Sequence, residues 1–135
     1  MKCFRQILKI ATEGALAIAA MSIGLQAAAP QGWFVAGSRP AAYQSGLDVS
    51  AVHNFHPSAY LKATHSVIQG FGTLMQHITA TQYLGKRVCF SALVRTEDAQ
   101  DWAALWMRVD KGSHPVAFDN MQNRPIKGTS DRAAL

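Results

Sequence analysis

The sequence has few of the covalent staples that hold small domains together. Its 135 residues include only 2 cysteines, Cys3 and Cys89, so a disulfide framework is excluded. There is no Cys-x-x-Cys pair and no His-Glu-x-x-His run, which removes the closed zinc sites and the zinc-hydrolase motif. A Gly-x-Ser-x-Gly elbow and a dinucleotide fingerprint are also lacking; Gly70-Phe71-Gly72-Thr73 has neither the third glycine nor a helical context. Long apolar runs are scarce. Gly14–Leu25 carries no charge, but it falls short of the roughly 20 residues a spanning helix needs, so no stable membrane anchor is expected. The 13 Lys+Arg against 8 Asp+Glu give +5. Three of those cations, Lys2, Arg5 and Lys9, precede Gly14, and the rest are scattered instead of forming the basic stripe of a nucleic-acid binder.

With 49% hydrophobic residues, the chain is too apolar to be disordered and too short for two domains. The basic start, the uncharged Gly14–Leu25 and the small residues Ala27, Ala28 and Ala29 follow the layout of a secretory signal peptide over residues 1–27. This reading predicts a periplasmic or secreted protein whose single domain spans residues 28–135. Cys89, within the alternating run Arg87–Arg95, then serves as a half-buried structural thiol.

After residue 30 no stretch keeps a 3.6-residue period for three turns, and Gly, Pro, Asn and Asp punctuate short alternating segments. The pattern predicts an all-β fold with strands at Gly32–Ala36, Ser58–Ser66, Gly72–Thr79, Lys86–Thr96, Trp102–Asp110 and Val116–Asp119, spaced as in an antiparallel jelly-roll β-sandwich. In Lys86–Thr96, Val88, Phe90, Ala92 and Val94 share the expected core face. In Trp102–Asp110, Ala104, Trp106, Arg108 and Asp110 form a row that mixes aromatic and ionic groups. The segment Asp110–Pro115 reads as a hairpin turn.

From Gly32 to Asp131 the chain resembles an exported family of bacterial β-sandwich proteins, described as hypothetical or as transcriptional regulators. The resemblance rests on Gly32-Trp33, Gly70–Gln76, Tyr83–Val88 and, most specifically, Leu105–Asp110 and Phe118–Met121 through Arg124–Thr129. Gln76, Tyr83-x-Gly85-Lys86 and Ser91-x-x-Val94-Arg95 are more distantly similar to carbohydrate-binding modules with a galactose-binding-like jelly roll. The family pattern continues beyond Asp131 with a Trp and closing strands, whereas this chain reads Arg132-Ala133-Ala134-Leu135. The resemblance therefore implies a sandwich incomplete at its C-terminus.

A non-catalytic binding module is the expected function, with carbohydrate or an envelope protein as partner; the alternative is a structural or protein-interaction module of the envelope. Trp106, Trp102 and Tyr83 offer flat apolar faces for stacking, and Arg108, Arg95, Asp119 and Asn120 offer hydrogen bonds to hydroxyls. A competing assignment pairs Arg108 or Arg124 with Asp119 or Asp110 as charge bridges between strands. Glu97, Asp98 and Asp101 read as a solvated acidic loop, not paired catalytic carboxylates. His53 and His56, three apart, would ligate a metal from one helical turn with His65 or His77 as a third ligand, but the surroundings read as a loop, so no metal or other cofactor is expected. No helix-turn-helix pattern is visible, and together with the export segment this predicts no nucleic-acid partner.

Overall fold

The computed structural model describes residues 4–5 and 28–134. The signal-peptide reading of residues 1–27 therefore lies outside the described residues, except for a two-residue strand. Everything described is β-structure, turns and two short 3-10 segments, so the all-β expectation holds. The sheets are small, mostly two-stranded. No helix among the described residues is long and apolar enough to cross a membrane.

The chain divides into two compact units. In the unit covering residues 8–79, β2 (Phe34–Gly37) pairs antiparallel with β5 (Gly72–Met75), and β3 (Tyr43–His53) pairs antiparallel with β4 (His56–Ala63). Two glycines of the Gly70-Phe71-Gly72 run are needed for close approach. At Gly72 the Tyr43 ring occupies the space a Cβ would take, and at Gly70, where φ is +129°, the Ser38 side chain does so. Ser38 Oγ accepts the Phe71 N–H at 2.9 Å, and the Arg39 N–H donates to the Phe71 carbonyl at 3.1 Å. These glycines leave room for the Tyr43 and Ser38 side chains against the backbone.

β3 was not expected as a strand, because Gly46, Asp48 and Ser50 break its alternation. Its middle is bulged: Asp48 pairs with Ser58, yet Val52 pairs with Pro57. Asp48 Oδ1 accepts the Ser50 N–H at 2.8 Å, the Ser50 hydroxyl at 2.6 Å and the Ala51 N–H at 3.2 Å, satisfying donors that the ladder has lost.

The unit containing residues 80–135 also includes β1 (Phe4–Arg5), parallel to the start of β6 (Phe90–Ala103). β6 pairs antiparallel with β9 (Ile126–Ala134), and β7 (Met107–Lys111) pairs antiparallel with β8 (His114–Asp119). The strand expected from Lys86 begins at Phe90 and runs on to Ala103. It thereby absorbs the acidic segment expected to be a loop. Two irregularities, between Thr96 and Ala99 and between Ala99 and Ala103, accommodate Glu97, Asp98 and Asp101. Asp98 has φ +50°, and its N–H donates to Thr129 Oγ1 at 3.1 Å. The alternation within β6 is as the sequence indicates: Leu93 and Arg95 are exposed, while Val94 packs inward and Thr96 is buried. Cys89 is half-buried and, among the described residues, in no disulfide.

The buried cluster consists of Met121 and Ile126, with Val94, Ala104 and Leu105 against them. β8 is linked to β9 by a loop that places both buried residues.

Candidate functional site

The hairpin β7–β8 turns at Gly112-Ser113, with positive φ confined to Gly112. This suits a two-residue turn that needs glycine in its first central position. Lys111 then faces His114, and Asp110 faces Pro115, but Val109 faces Ala117. Val116 is the extra residue of a bulge, and a one-residue slip moves every following side chain to the other face. Phe118 therefore lies opposite Arg108.

The result is a ledge of aromatic and ionic groups on one face. The Trp106 and Phe118 rings sit 6.2 Å apart at 55°, within the range of favourable tilted pairs. Phe118 is 60% exposed and Trp106 is half-buried. Beside them the Arg108 guanidinium donates from Nε to the Asp110 carboxylate at 3.1 Å. A flat apolar surface bordered by a cation and an anion can hold a ring and hydrogen-bond its substituents.

The other expected site residues are placed differently. Asp119 pairs with Met107, one register position from the Arg108–Phe118 pair, and so belongs to the opposite face. Its carboxylate clamps the following loop: Oδ1 accepts the Met121 N–H at 2.8 Å and Oδ2 accepts from Arg124 Nη2 at 2.7 Å. The Met121 hydrogen bond, with the Arg124 bond and charge added to it, holds the Asp119 carboxyl below its ordinary 3.8. Asn120 Oδ1 accepts the Gln122 N–H at 3.2 Å. Met121 adopts φ +56°, and its carbonyl accepts the Arg124 N–H at 2.8 Å. Asp119 and Asn120 thus shape the loop that buries Met121.

Arg95 is paired with Asp131 across β6 and β9 at 3.7 Å, with both side chains well exposed. Trp102 lies near the end of β6, 48% exposed. Tyr83 ends the 3-10 turn Thr81–Tyr83 and is half-buried. Phe118 is the member of the ledge that sequence reasoning missed, because the bulge that turns it toward Arg108 has no periodic signature.

His53, His56, His65 and His77 do not gather into one site of three or more ligands, and among the described residues no group of three or more His, Cys, Asp or Glu could hold an ion. His77 stacks edge-on against Phe34 with ring centroids 5.2 Å apart. The Thr64 hydroxyl donates to the Ala42 carbonyl at 3.0 Å, so His65 Nδ1 donates to that hydroxyl at 2.8 Å.

No family model matches the chain, and no solved structure matches it. Over 103 residues, 75% of the chain, it is 45% identical to a Bacillus subtilis (strain 168) protein named as an uncharacterized HTH-type transcriptional regulator, YbfP. The matched segment is 35% of that protein, so the chain spans about a third of its relative's length. This relative overturns the placement in an exported, carbohydrate-binding-like family. Strand alternation and entry residues report a β-framework that many proteins share, and they carry no ligand identity. The exclusion of nucleic acid is overturned with it: a pattern missing from a third of a regulator's length carries no weight against a nucleic-acid role.

Proposed function

We propose that the chain is a non-catalytic, ligand-binding β-module of a regulator-type protein, and that the ligand lies on the Trp106–Phe118 ledge. The relative's name supports a role in transcriptional control. The β-structure supports assigning the described residues to the ligand, since no α-helix among them is available to enter a DNA groove. The antiparallel pairing of every strand from β2 onward supports a finer reading of the fold as an antiparallel sandwich of jelly-roll type.

The observation that carries the proposal is the conjunction of exposed Phe118, half-buried Trp106 and the Arg108–Asp110 pair on one hairpin face. The ligand class is a planar or ring-bearing polar molecule with both donors and acceptors. Thermal unfolding of the full chain with adenosine, uridine and free tryptophan as probes tests it. A probe at 100 times its dissociation constant stabilises the protein by about 2.7 kcal/mol, which raises the midpoint visibly. Trp106→Ala should abolish that rise while leaving a cooperative transition. The reading fails if no probe moves the midpoint, if the variant responds as the parent does, or if the variant no longer unfolds cooperatively, which would make Trp106 a packing residue.

A further inference from the structure

At the tip of the hairpin β3–β4, His53 and His56 are cross-strand partners flanking the two-residue turn Asn54-Phe55. The spacing of three, which suggests a helical turn in the sequence, is met here by a hairpin. Directly opposed residues of an antiparallel pair project from the same face with Cβ atoms about 4.5–5.5 Å apart. That separation lets two imidazoles converge on one ion at about 2.0–2.1 Å each.

The register that opposes them is fixed from both sides. On β3, the Asp48 carboxylate holds the bulge after which Val52 meets Pro57 and His53 meets His56. At the tip, both turn residues have positive φ, +49° at Asn54 and +65° at Phe55. The second value is unfavourable for a bulky side chain, and Phe55 is 98% exposed. The conformation therefore gains nothing from packing its own ring, a situation common where a strained turn presents ligand groups. Among the described residues, neither imidazole takes part in a hydrogen bond, ion pair or ring contact.

We propose that His53 and His56 form a two-imidazole site for a divalent transition-metal ion, with water completing the coordination. Imidazole nitrogens suit copper, nickel and zinc, and the general order of stability places Cu2+ highest. The proposal does not depend on the reading of the Trp106–Phe118 ledge.

The test uses the full chain carrying Cys3→Ser and Cys89→Ser, so that thiols neither bind nor reduce the probe, which is Cu2+ added as its chloride. Calorimetry should show one strong equivalent, and electron paramagnetic resonance should show two nitrogen ligands. His53→Gln or His56→Gln should each weaken binding at least about tenfold, whereas His65→Gln, His77→Gln and His114→Gln should leave it unchanged. Phe55→Gly, which relieves the turn and keeps both imidazoles, should retain the site. In the chain with all five histidines, the ring-proton signals of His53 and His56 should broaden together at the lowest Cu2+ additions, a readout that needs no folded variant. Joint broadening of any other histidine pair, or tight binding that survives loss of either His53 or His56, would overturn the proposal.

Discussion

Asp119 shows how a residue can have binding chemistry and yet be committed to structure. A carboxylate beside an asparagine at the end of a strand invites a ligand, but both Asp119 oxygens are engaged, one with the Met121 N–H and the other with the Arg124 guanidinium. These bonds hold Met121 at φ +56° with its side chain 5% exposed. Folding lowers the Asp119 carboxyl from 3.8, so its contribution is complete above the ordinary carboxylate range and is lost as pH falls below 3.8 through the folded value. The Met121 amide should therefore stay protected from exchange at neutral pH and lose protection in that acid window. Asp119→Ala should expose it at every pH. Amide exchange followed by nuclear magnetic resonance checks both, and a Met121 amide equally protected in the variant would show that Arg124 and the turn suffice without the carboxylate.

At the scale of elements, glycine decides where a neighbouring side chain can pack against the backbone. The Tyr43 ring lies where a Cβ on Gly72 would stand, which joins the start of β3 to β5. Gly72→Ala should destabilise this unit by about 1–3 kcal/mol, the usual cost of overpacking. Adding Tyr43→Ala should cost less than the two single changes combined, because the clash is already removed. Chemical unfolding of the three variants measures this, and strict additivity would mean that the ring simply swings aside. Much of this level was legible in the sequence. The β7–β8 hairpin follows from Gly112 and Pro115, and the two faces of β6 follow from its alternation. The bulges were not legible, because a register shift between paired strands leaves no mark on the hydrophobic alternation of either one. Asp48 holds three residues of β3 out of the register with β4, and Val116 slips β8 by one, so Trp106 and Arg108 could be placed on a face from the sequence but Phe118 could not. β9 was missed because Lys127, Gly128, Ser130 and Asp131 hide its period. Tyr83, Trp102 and Arg95 were grouped with the ledge by residue type alone, which says nothing of three-dimensional neighbours.

At the scale of the whole molecule, stability is unevenly supplied. Large apolar side chains are buried in the unit containing residues 80–134, where Met121 and Ile126 are 5% and 3% exposed. In the other unit the buried residues among those described are Pro30, Ser45 and Gly46, while Val49, Val52, Phe55, Val67 and Phe71 are exposed. Backbone hydrogen bonds of a hairpin that covers no large buried side chain open at little cost, since local protection follows the apolar burial that opening would undo. The amides of β6 and β9 between Val94 and Asp131 should therefore exchange more slowly than those of β3 and β4, although β3–β4 is a long hairpin. Hydrogen–deuterium exchange of the intact chain, resolved by peptide, compares the two directly. Ile126→Ala sharpens the comparison: loss of a buried isoleucine costs about 2–5 kcal/mol, so exchange in β6 and β9 should accelerate to the rate already seen in β3 and β4. If β3–β4 proved the slower in the unaltered chain, the Asp48 clamp and cross-strand pairing would have to outweigh apolar burial, and the Met121–Ile126 cluster could no longer be regarded as the principal source of order.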